Sequence, residues 1–421
     1  MIYRYEFPDQ FAELEQTDFS QYSGNLVLWG AGKLGSVTAH VLKQKGIEAL
    51  AFVDMLPAKQ GTEFCGLKVI SPEAFLQGHK DAALIITTVG RDDVVQWLTD
   101  HSFVNWHDAW PLLMEFDFGD YSEQNQMYMV RMIDYYFRTM VRSLNLKRKH
   151  LADRLRVMVT SQCSLRCKEC CAFIPYVKHP RNDDWEQTVS DIKTFLDAAK
   201  SVQEVELLGG EPLIHPYLSN IVAALKNEPR IDQISVITNG TILPESALID
   251  ALKADSRTIF RISSYGNLSS RMDDIVPLLQ HNGIRYEIID YKTWYKNSEV
   301  KLLNETDAEL RKKFNCCMEG CGMVSWRGKL FCCLTLPFLV EEGIFPEAND
   351  NFYDMRRKDL DYQQLTDEIR DYIDRSNTDQ YVDACRYCTG KSTANFKQPV
   401  SVAEQAKGLL EMPMPQINEK R

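Results

Sequence analysis

The chain has 421 residues, of which 44% are hydrophobic and 25% charged, proportions typical of a globular protein with room for two or three domains. Its formal net charge of -11 would repel a phosphate backbone, and no stretch approaches the roughly 18 apolar residues of a membrane span. The N-terminus also lacks the basic and then apolar pattern of a signal peptide. We therefore expect a cytoplasmic protein with no nucleic-acid partner and no membrane insertion.

The cysteines are concentrated in one part of the chain. Eleven of the twelve follow residue 160. Because thiols are kept reduced inside cells, these residues are better candidates for metal ligands than for disulfides. We therefore expect metal chemistry in the C-terminal two thirds.

Residues 1–120 alternate strands and helices in the order of a dinucleotide-binding fold. The sequence predicts apolar strands at 26–29, 49–53 and 83–87, with an amphipathic helix that ends near residue 44 between the first two. This order predicts a Rossmann-like domain.

A glycine turn joins the first strand to that helix. It places Gly30, Gly32 and Gly35 in a Gly-x-Gly-x-x-Gly spacing, and Asp54 closes the second strand. The glycines would let a phosphate approach the helix N-terminus, and Asp54 could bond a ribose hydroxyl. A nucleotide site is therefore a hypothesis for this domain, and a turn that serves only as scaffold is the alternative. The segment also resembles the short Rossmann-like domains attached to sugar acetyltransferases, which implies a nucleotide-sugar ligand or packing against a partner.

Residues 121–150 have apolar side chains at helical spacing, many of them methionines. The pattern predicts a long helix that connects the first domain to the second, with its apolar face used for core packing.

Cys163, Cys167 and Cys170 form a Cys-x3-Cys-x2-Cys run directly after an apolar strand at 155–160. Three thiolates can hold a 4Fe-4S cluster and leave one iron open to a small molecule. A zinc site with Cys171 as its fourth ligand is the alternative. A second motif, Gly209-Gly210-Glu211-Pro212, follows a strand-like stretch at 205–208.

These two motifs together resemble the radical S-adenosylmethionine (radical SAM) superfamily. The resemblance implies a cluster whose open iron binds the amino and carboxylate groups of SAM, and an electron from a reductase such as flavodoxin or ferredoxin. SAM would be cleaved to methionine and a 5'-deoxyadenosyl radical, which removes a hydrogen atom from the substrate. The Gly209–Pro212 turn and the Glu211 carboxylate would meet the SAM amino group. Glu169 departs from the family pattern, in which an aromatic residue or His usually precedes the third cysteine and packs near the adenine.

Residues 151–305 alternate apolar strands with helices, which predicts an α/β fold with a parallel sheet curled by right-handed crossovers. Five strands are clear, and the resemblance implies a partial (β/α)6 barrel. Active sites of parallel sheets lie beyond the carboxyl ends of the strands. Asn239 and Ser263 occupy such positions, and the resemblance implies contacts with SAM for both.

Residues 306–396 carry a second cysteine group. Cys317, Cys333, Cys385 and Cys388, with Gly328 between the first two, resemble the twitch subdomain, the shortened form of the SPASM extension. The resemblance implies an auxiliary 4Fe-4S cluster, which four cysteines would close off and suit to electron transfer. Other assignments stay open, namely Cys316 or Cys321 for the first ligand, Cys332 for the second, and a structural zinc in place of the cluster. Residues 397–421 are predicted to be a loose tail.

The combined prediction is a radical SAM enzyme that acts on a small polar molecule, with a glycan or nucleotide-sugar intermediate favoured. Transfer of an electron to the auxiliary cluster would give dehydrogenation, and hydrogen return to the substrate radical would give epimerisation. The alternatives are a radical SAM peptide maturase and a non-catalytic iron-sulfur or nucleotide sensor.

Overall fold

The computed structural model describes residues 11, 14, 16–88, 90–116, 133, 136–137, 140, 151–292, 294–296, 300–315, 317, 322–345, 350–375, 380–388 and 399–410. The chain divides into two compact units, residues 1–149 and 150–421. Among the helices within these ranges, none has the length and apolar character needed to cross a membrane.

The first unit contains a six-stranded sheet. Its strands are β1 Leu26–Trp29, β2 Ala51–Val53, β3 Glu63–Phe64, β4 Leu67–Ile70, β5 Ala83–Ile86 and β6 Trp106–Asp108. They lie in the order β3-β4-β2-β1-β5-β6 and are parallel except for the β3–β4 pair. Its helices are α1 Lys33–Gln44, α2 Pro72–Gly78, α3 Arg91–Asp100 and α4 Trp110–Met114. The three predicted strands and the predicted helix are all present.

Both faces of this sheet are buried, as expected for parallel strands with helices on each side. Leu26 and Leu28 of β1 belong to one apolar core, whereas Val27 and Trp29 belong to the core on the other face. Four residues of the predicted connecting helix also lie in the first of these cores, and they are Ile133, Tyr136, Phe137 and Met140. The rest of 121–150 lies outside the described residues.

The second unit begins with five parallel strands that neighbour one another in chain order. They are β7 Ala152–Thr160, β8 Val202–Gly209, β9 Ile231–Thr238, β10 Thr258–Ser264 and β11 Tyr286–Asp290. The helices between them are α5 Trp185–Ala199, α6 Leu218–Leu225, α7 Ser246–Lys253 and α8 Met272–His281. The predicted alternation and the α/β class are confirmed, and this sheet forms the partial barrel.

The cysteine-rich region continues the same sheet. Its strands are β13 Met323–Trp326, β14 Lys329–Phe331 and β15 Tyr353–Asp354, and its helices are α9 Asp307–Asn315, α10 Leu336–Glu341 and α11 Tyr362–Arg375. Strand β13 pairs in parallel with β7, and β14 and β15 follow it in antiparallel pairs. A separate two-stranded sheet joins β12 Trp294–Tyr295 to β16 Pro399–Val400.

The two faces of the large sheet differ in character, because successive side chains of a strand point to opposite sides. Leu155, Val205 and Ile234 belong to the apolar core. The alternate positions carry charges that pair across the strands, and these are Arg154, Arg156, Glu204, Glu206, Arg261 and Glu287. The barrel therefore has a charged interior face.

Candidate active site

The predicted site residues converge at the carboxyl ends of neighbouring strands. Cys163 follows β7, Gly209 ends β8, Asn239 follows β9, and Ser263 lies at the end of β10. Because these strands are parallel and adjacent, their carboxyl ends form one edge, as the sequence predicts.

The two glycines of the Gly209–Pro212 turn are needed because two backbones run side by side there. A Cβ on Gly209 would lie 2.2 Å from the Thr160 carbonyl oxygen, and one on Gly210 would lie 2.1 Å from the Gln162 carbonyl oxygen. The Gly210 N–H donates to Thr160 O at 2.9 Å, and the Glu211 N–H donates to Gln162 O at 2.8 Å. The turn is thus bonded directly to the segment that leads into the loop with Cys163, Cys167 and Cys170, which we call the cysteine loop.

Glu211 is fully buried and ties this turn to the end of β9. Its Oε1 accepts from Leu213 N at 3.1 Å and from Thr238 Oγ1 at 2.8 Å, and its Oε2 accepts from Asn239 N at 2.8 Å. Burial nevertheless raises the pKa of Glu211 to about 7, against the lowering effect of these three bonds. A group with such a pKa inside a site is typical of functional centres.

Asn239 connects β9 to the cysteine loop. Its Nδ2 donates to Ser164 Oγ at 3.1 Å and lies 3.6 Å from Cys163 Sγ, and its Oδ1 accepts from Thr241 Oγ1 at 2.7 Å. Ser164 Oγ and Thr241 Oγ1 are 2.5 Å apart. The sequence contains no signal for this approach of Asn239 to sulfur.

The three cysteines of the loop are close enough for their charges to interact, Cys163 with Cys167 and Cys163 with Cys170. N–H groups approach two of the sulfurs: Leu165 N donates to Cys163 Sγ at 3.4 Å and Gln405 Nε2 to Cys167 Sγ at 3.3 Å. Burial raises the pKa of Cys163 to about 12, so the thiolate needs a positively charged partner such as a bound metal.

These features fit an iron-sulfur cluster, whose ligands are thiolates tuned by N–H donors. Over the described ranges, no set of three or more His, Cys, Asp or Glu is grouped as it would be around a single metal ion. Cys171, the alternative fourth ligand of a zinc site, is half-buried and close to Cys167.

The prediction of a loose tail is wrong for residues 399–410. Lys168 N donates to Glu404 O at 2.8 Å and Ala406 N to Arg166 O at 2.7 Å, so this segment crosses the cysteine loop. The side chain of Gln405 bonds residues that lie 239 and 238 positions away in the chain. No local pattern in the sequence could therefore indicate these contacts.

An aromatic cluster also lies at this edge, and sequence reasoning missed it. The ring of Tyr265 is 5.7 Å from that of Tyr291 and 5.3 Å from that of Trp294. Burial raises the pKa of Tyr265, and its hydroxyl is near Ser263 and Cys171. Ser263 itself is buried.

The fold also brings together the cysteines of the second group, which are far apart in the sequence. The charge of Cys385 interacts with those of three other cysteines, which are Cys317, Cys333 and Cys388. Burial raises the pKa of Cys385, as it does for Cys163 in the first group.

Two further residues accompany this second group. Cys332 is buried beside it. Lys313 Nζ donates to the carbonyl oxygens of Cys385 and Cys388, each at 2.7 Å. The alternative ligands Cys316 and Cys321 lie outside the described residues.

In the first unit, the glycine turn lies between β1 and α1, as the sequence predicts. Gly30 has φ +122°, Gly32 precedes α1, and a Cβ on Gly35 would lie 2.1 Å from Gly30 O. Asp54 already accepts from Ala31 N at 3.0 Å and from Lys59 Nζ at 2.9 Å. A ribose hydroxyl would have to compete with these donors.

Comparison with known proteins agrees with the motifs. Residues 157–261 match the model of the Radical SAM superfamily. This segment of the chain is therefore a radical SAM domain. The matched radical SAM segment contains the cysteine loop, the Gly209–Pro212 turn and strands β8 and β9.

Curated relatives that match this chain include GTP 3',8-cyclases. That of Clostridium acetobutylicum is 32% identical over 145 residues, 31% of this chain and 44% of the relative. That of Petrotoga mobilis is 25% identical over 180 residues, 38% of this chain and 54% of the relative. The chain thus spans about half the length of the curated relatives it matches.

Among solved structures, BtrN in complex with AdoMet and 2-DOIA has a TM-score of 0.35 at 14% identity, covering 55% of this chain and 93% of BtrN. Streptococcus suis SuiB bound to S-adenosylmethionine has a TM-score of 0.28 at 15% identity, covering 40% of this chain and 38% of SuiB.

Proposed function

We propose that this chain is an enzyme that cleaves SAM reductively and abstracts a hydrogen atom from a small polar substrate. Cys163, Cys167 and Cys170 would hold the 4Fe-4S cluster, which when bound supplies the electron that converts SAM to methionine and a 5'-deoxyadenosyl radical. The observation that carries the proposal is the backbone pairing of the Gly209–Pro212 turn with the segment entering the cysteine loop.

Glu211 is suited to orient the SAM amino group. An ionised carboxylate offers about four acceptor positions, and three are used by Leu213, Thr238 and Asn239. A positive ammonium group would favour the ionised form and lower the raised pKa of Glu211. Asn239 and Ser263 would contact the rest of SAM from the neighbouring strand ends.

The second cysteine group would hold an auxiliary 4Fe-4S cluster through four ligands, which are Cys317, Cys333, Cys385 and Cys388. Thr335 N donates to Cys333 Sγ at 3.4 Å, and Leu165 N donates to Cys163 Sγ in the same two-residue relation. This bond favours Cys333 over Cys332 as the ligand. Four thiolates leave no open iron, which supports a role in electron transfer.

The substrate class that we favour contains a nucleotide, such as a nucleotide-sugar. The Rossmann-like first unit and the nucleotide named in the curated relatives support it. With an electron-accepting auxiliary cluster the outcome would be dehydrogenation, and with hydrogen return it would be epimerisation. The second candidate is cyclisation of GTP, which the 32% identity to one GTP 3',8-cyclase supports.

The test is SAM cleavage by the full chain, reconstituted with iron and sulfide without oxygen and reduced by dithionite. A physiological electron donor of the flavodoxin or ferredoxin class would replace dithionite in the cell. We expect 5'-deoxyadenosine from the wild type and from Cys65→Ala, an exposed cysteine in the first unit, and none from Cys163→Ala. Absence of 5'-deoxyadenosine from the wild type would leave the non-catalytic sensor as the better hypothesis. Addition of GTP, with product analysis by mass spectrometry, tests the second candidate.

A further inference from the structure

Residues 399–410, which we name the C-terminal strap, lie antiparallel to part of the cysteine loop. Besides the two backbone bonds on either side of Gln405, Leu410 N donates to Pro175 O at 2.9 Å. Ala403 is fully buried, and β16 pairs with β12. The strap is therefore fixed at several points along its length.

Gln405 is the strap residue whose side chain reaches a predicted ligand cysteine. Its Oε1 accepts from Arg166 N at 2.7 Å. Its Nε2 donates to Cys167 Sγ at 3.3 Å and to Ala403 O at 2.6 Å. A carboxamide has both an acceptor and two donors, and all three are used here. Cys167 is only 8% exposed beneath it.

We propose that Gln405 is a positioning residue for the SAM-binding cluster. It fixes the backbone of the cysteine loop at Arg166 and donates a hydrogen bond to the Cys167 thiolate. The inference rests on the proposed function, because it concerns the cluster that Cys163, Cys167 and Cys170 would hold.

The bond to sulfur has a consequence for reduction of the cluster. An N–H donor stabilises negative charge on a ligand sulfur, and that charge is greater in the reduced cluster. The carboxamide therefore favours the reduced state and raises the reduction potential. A strap that only covered the loop would not need a donor at this position.

The test compares Gln405→Glu and Gln405→Leu with Glu404→Gln, a control on the neighbouring exposed residue that pairs with Lys168. Each full-length protein is reconstituted without oxygen, its iron is counted, and the midpoint potential is measured by electron paramagnetic resonance. The signal that changes when SAM is added reports this cluster. We expect the cluster to be harder to reduce in both Gln405 variants. In Gln405→Glu the equilibrium constant for reduction should fall at least tenfold, which lowers the midpoint potential by about 59 mV for one electron. The control should keep this constant within about threefold of the wild-type value, since its side chain does not touch sulfur.

Unchanged midpoint potentials in fully loaded Gln405 variants would overturn the inference. A shift in Gln405→Glu alone would also overturn it, because the added negative charge, and not the loss of the N–H donor, would then explain the shift. If these variants lose the cluster, amide exchange of the peptide 163–171 decides: faster exchange in Gln405→Leu than in the control supports positioning, and equal exchange refutes it. Failure of the proposed function has a different signature, because the wild type itself would then show no SAM-dependent cluster signal and no 5'-deoxyadenosine.

Discussion

Glu211 shows how one side chain organises the site. Its carboxylate joins the turn after β8 to Thr238 and Asn239 at the end of β9, and Asn239 in turn reaches Cys163. The group is nevertheless fully buried, and burial disfavours its charged form. Its protonation state is therefore linked to the stability of the second unit.

We predict that Glu211→Gln changes the pH dependence of stability. The pKa of Glu211 is raised from 4.5 to about 7 in the folded chain, so the wild type loses stability as pH rises through this interval. Glutamine does not titrate. Relative to the wild type, the variant should gain about 3 kcal/mol in unfolding free energy between about pH 4.5 and pH 8.

Urea unfolding of the SAM-free chain at both pH values measures this difference, and the value at the lower pH is the internal control. If the difference in unfolding free energy between Glu211→Gln and the wild type does not change with pH, the three hydrogen-bond donors keep the carboxylate ionised.

Two glycines of the first unit allow a matched comparison. Gly35→Ala would place a Cβ 2.1 Å from Gly30 O, whereas a Cβ on Gly32 would meet nothing within 4 Å. We expect Gly35→Ala to cost about 2 kcal/mol through overpacking and Gly32→Ala to cost less than about 1 kcal/mol. Amide exchange in β1 measures both, and equal losses would contradict this account of the turn.

At the scale of elements, the sequence predicts most of the strands because apolar runs alternate with helical patterns. The glycines of the Gly209–Pro212 turn indicate a close approach of backbones, but they do not say which segment approaches. The charged face of the barrel has no signal in the sequence, since Arg154 and Glu204 have no visible relation until the strands pair. The strap escapes prediction for the same reason.

The charged face leads to a prediction for Arg261, which lies buried among Glu204, Glu206 and Glu287. Arg261→Met would remove the positive charge that pairs with all three carboxylates and should cost about 3–5 kcal/mol. Arg271→Met, which removes an exposed ion pair, should cost less than about 0.5 kcal/mol. Amide exchange in β8 and β10 measures the loss. Adding Glu287→Gln should recover part of it, and no recovery would mean that packing, not charge, dominates.

At the scale of the molecule, one sheet of the second unit supports both cysteine groups, because Cys163 follows β7 and Cys333 follows β14. Strand β13 pairs with β7, so the cysteine-rich region shares its hydrogen bonds with the barrel. The pair Asp191 and Arg356 adds a second link, with bonds of 2.8 and 3.0 Å between α5 and the region after β15. The sequence predicts two subdomains but cannot show this pairing, because the partner strands are far apart in the chain.

This arrangement makes the two metal sites separable by mutation within one folded unit. We predict about eight irons per chain for the wild type purified without oxygen, which corresponds to two 4Fe-4S clusters. Cys163→Ala and Cys385→Ala should each retain about four. Cys163→Ala should lose SAM cleavage, whereas Cys385→Ala should keep some of it without coupling to substrate. Iron and sulfide analysis with 5'-deoxyadenosine measurement tests both, with Cys65→Ala as the control. Loss of all iron in either variant would mean that the cysteine groups are not independent sites, and about four irons in the wild type would remove the auxiliary cluster.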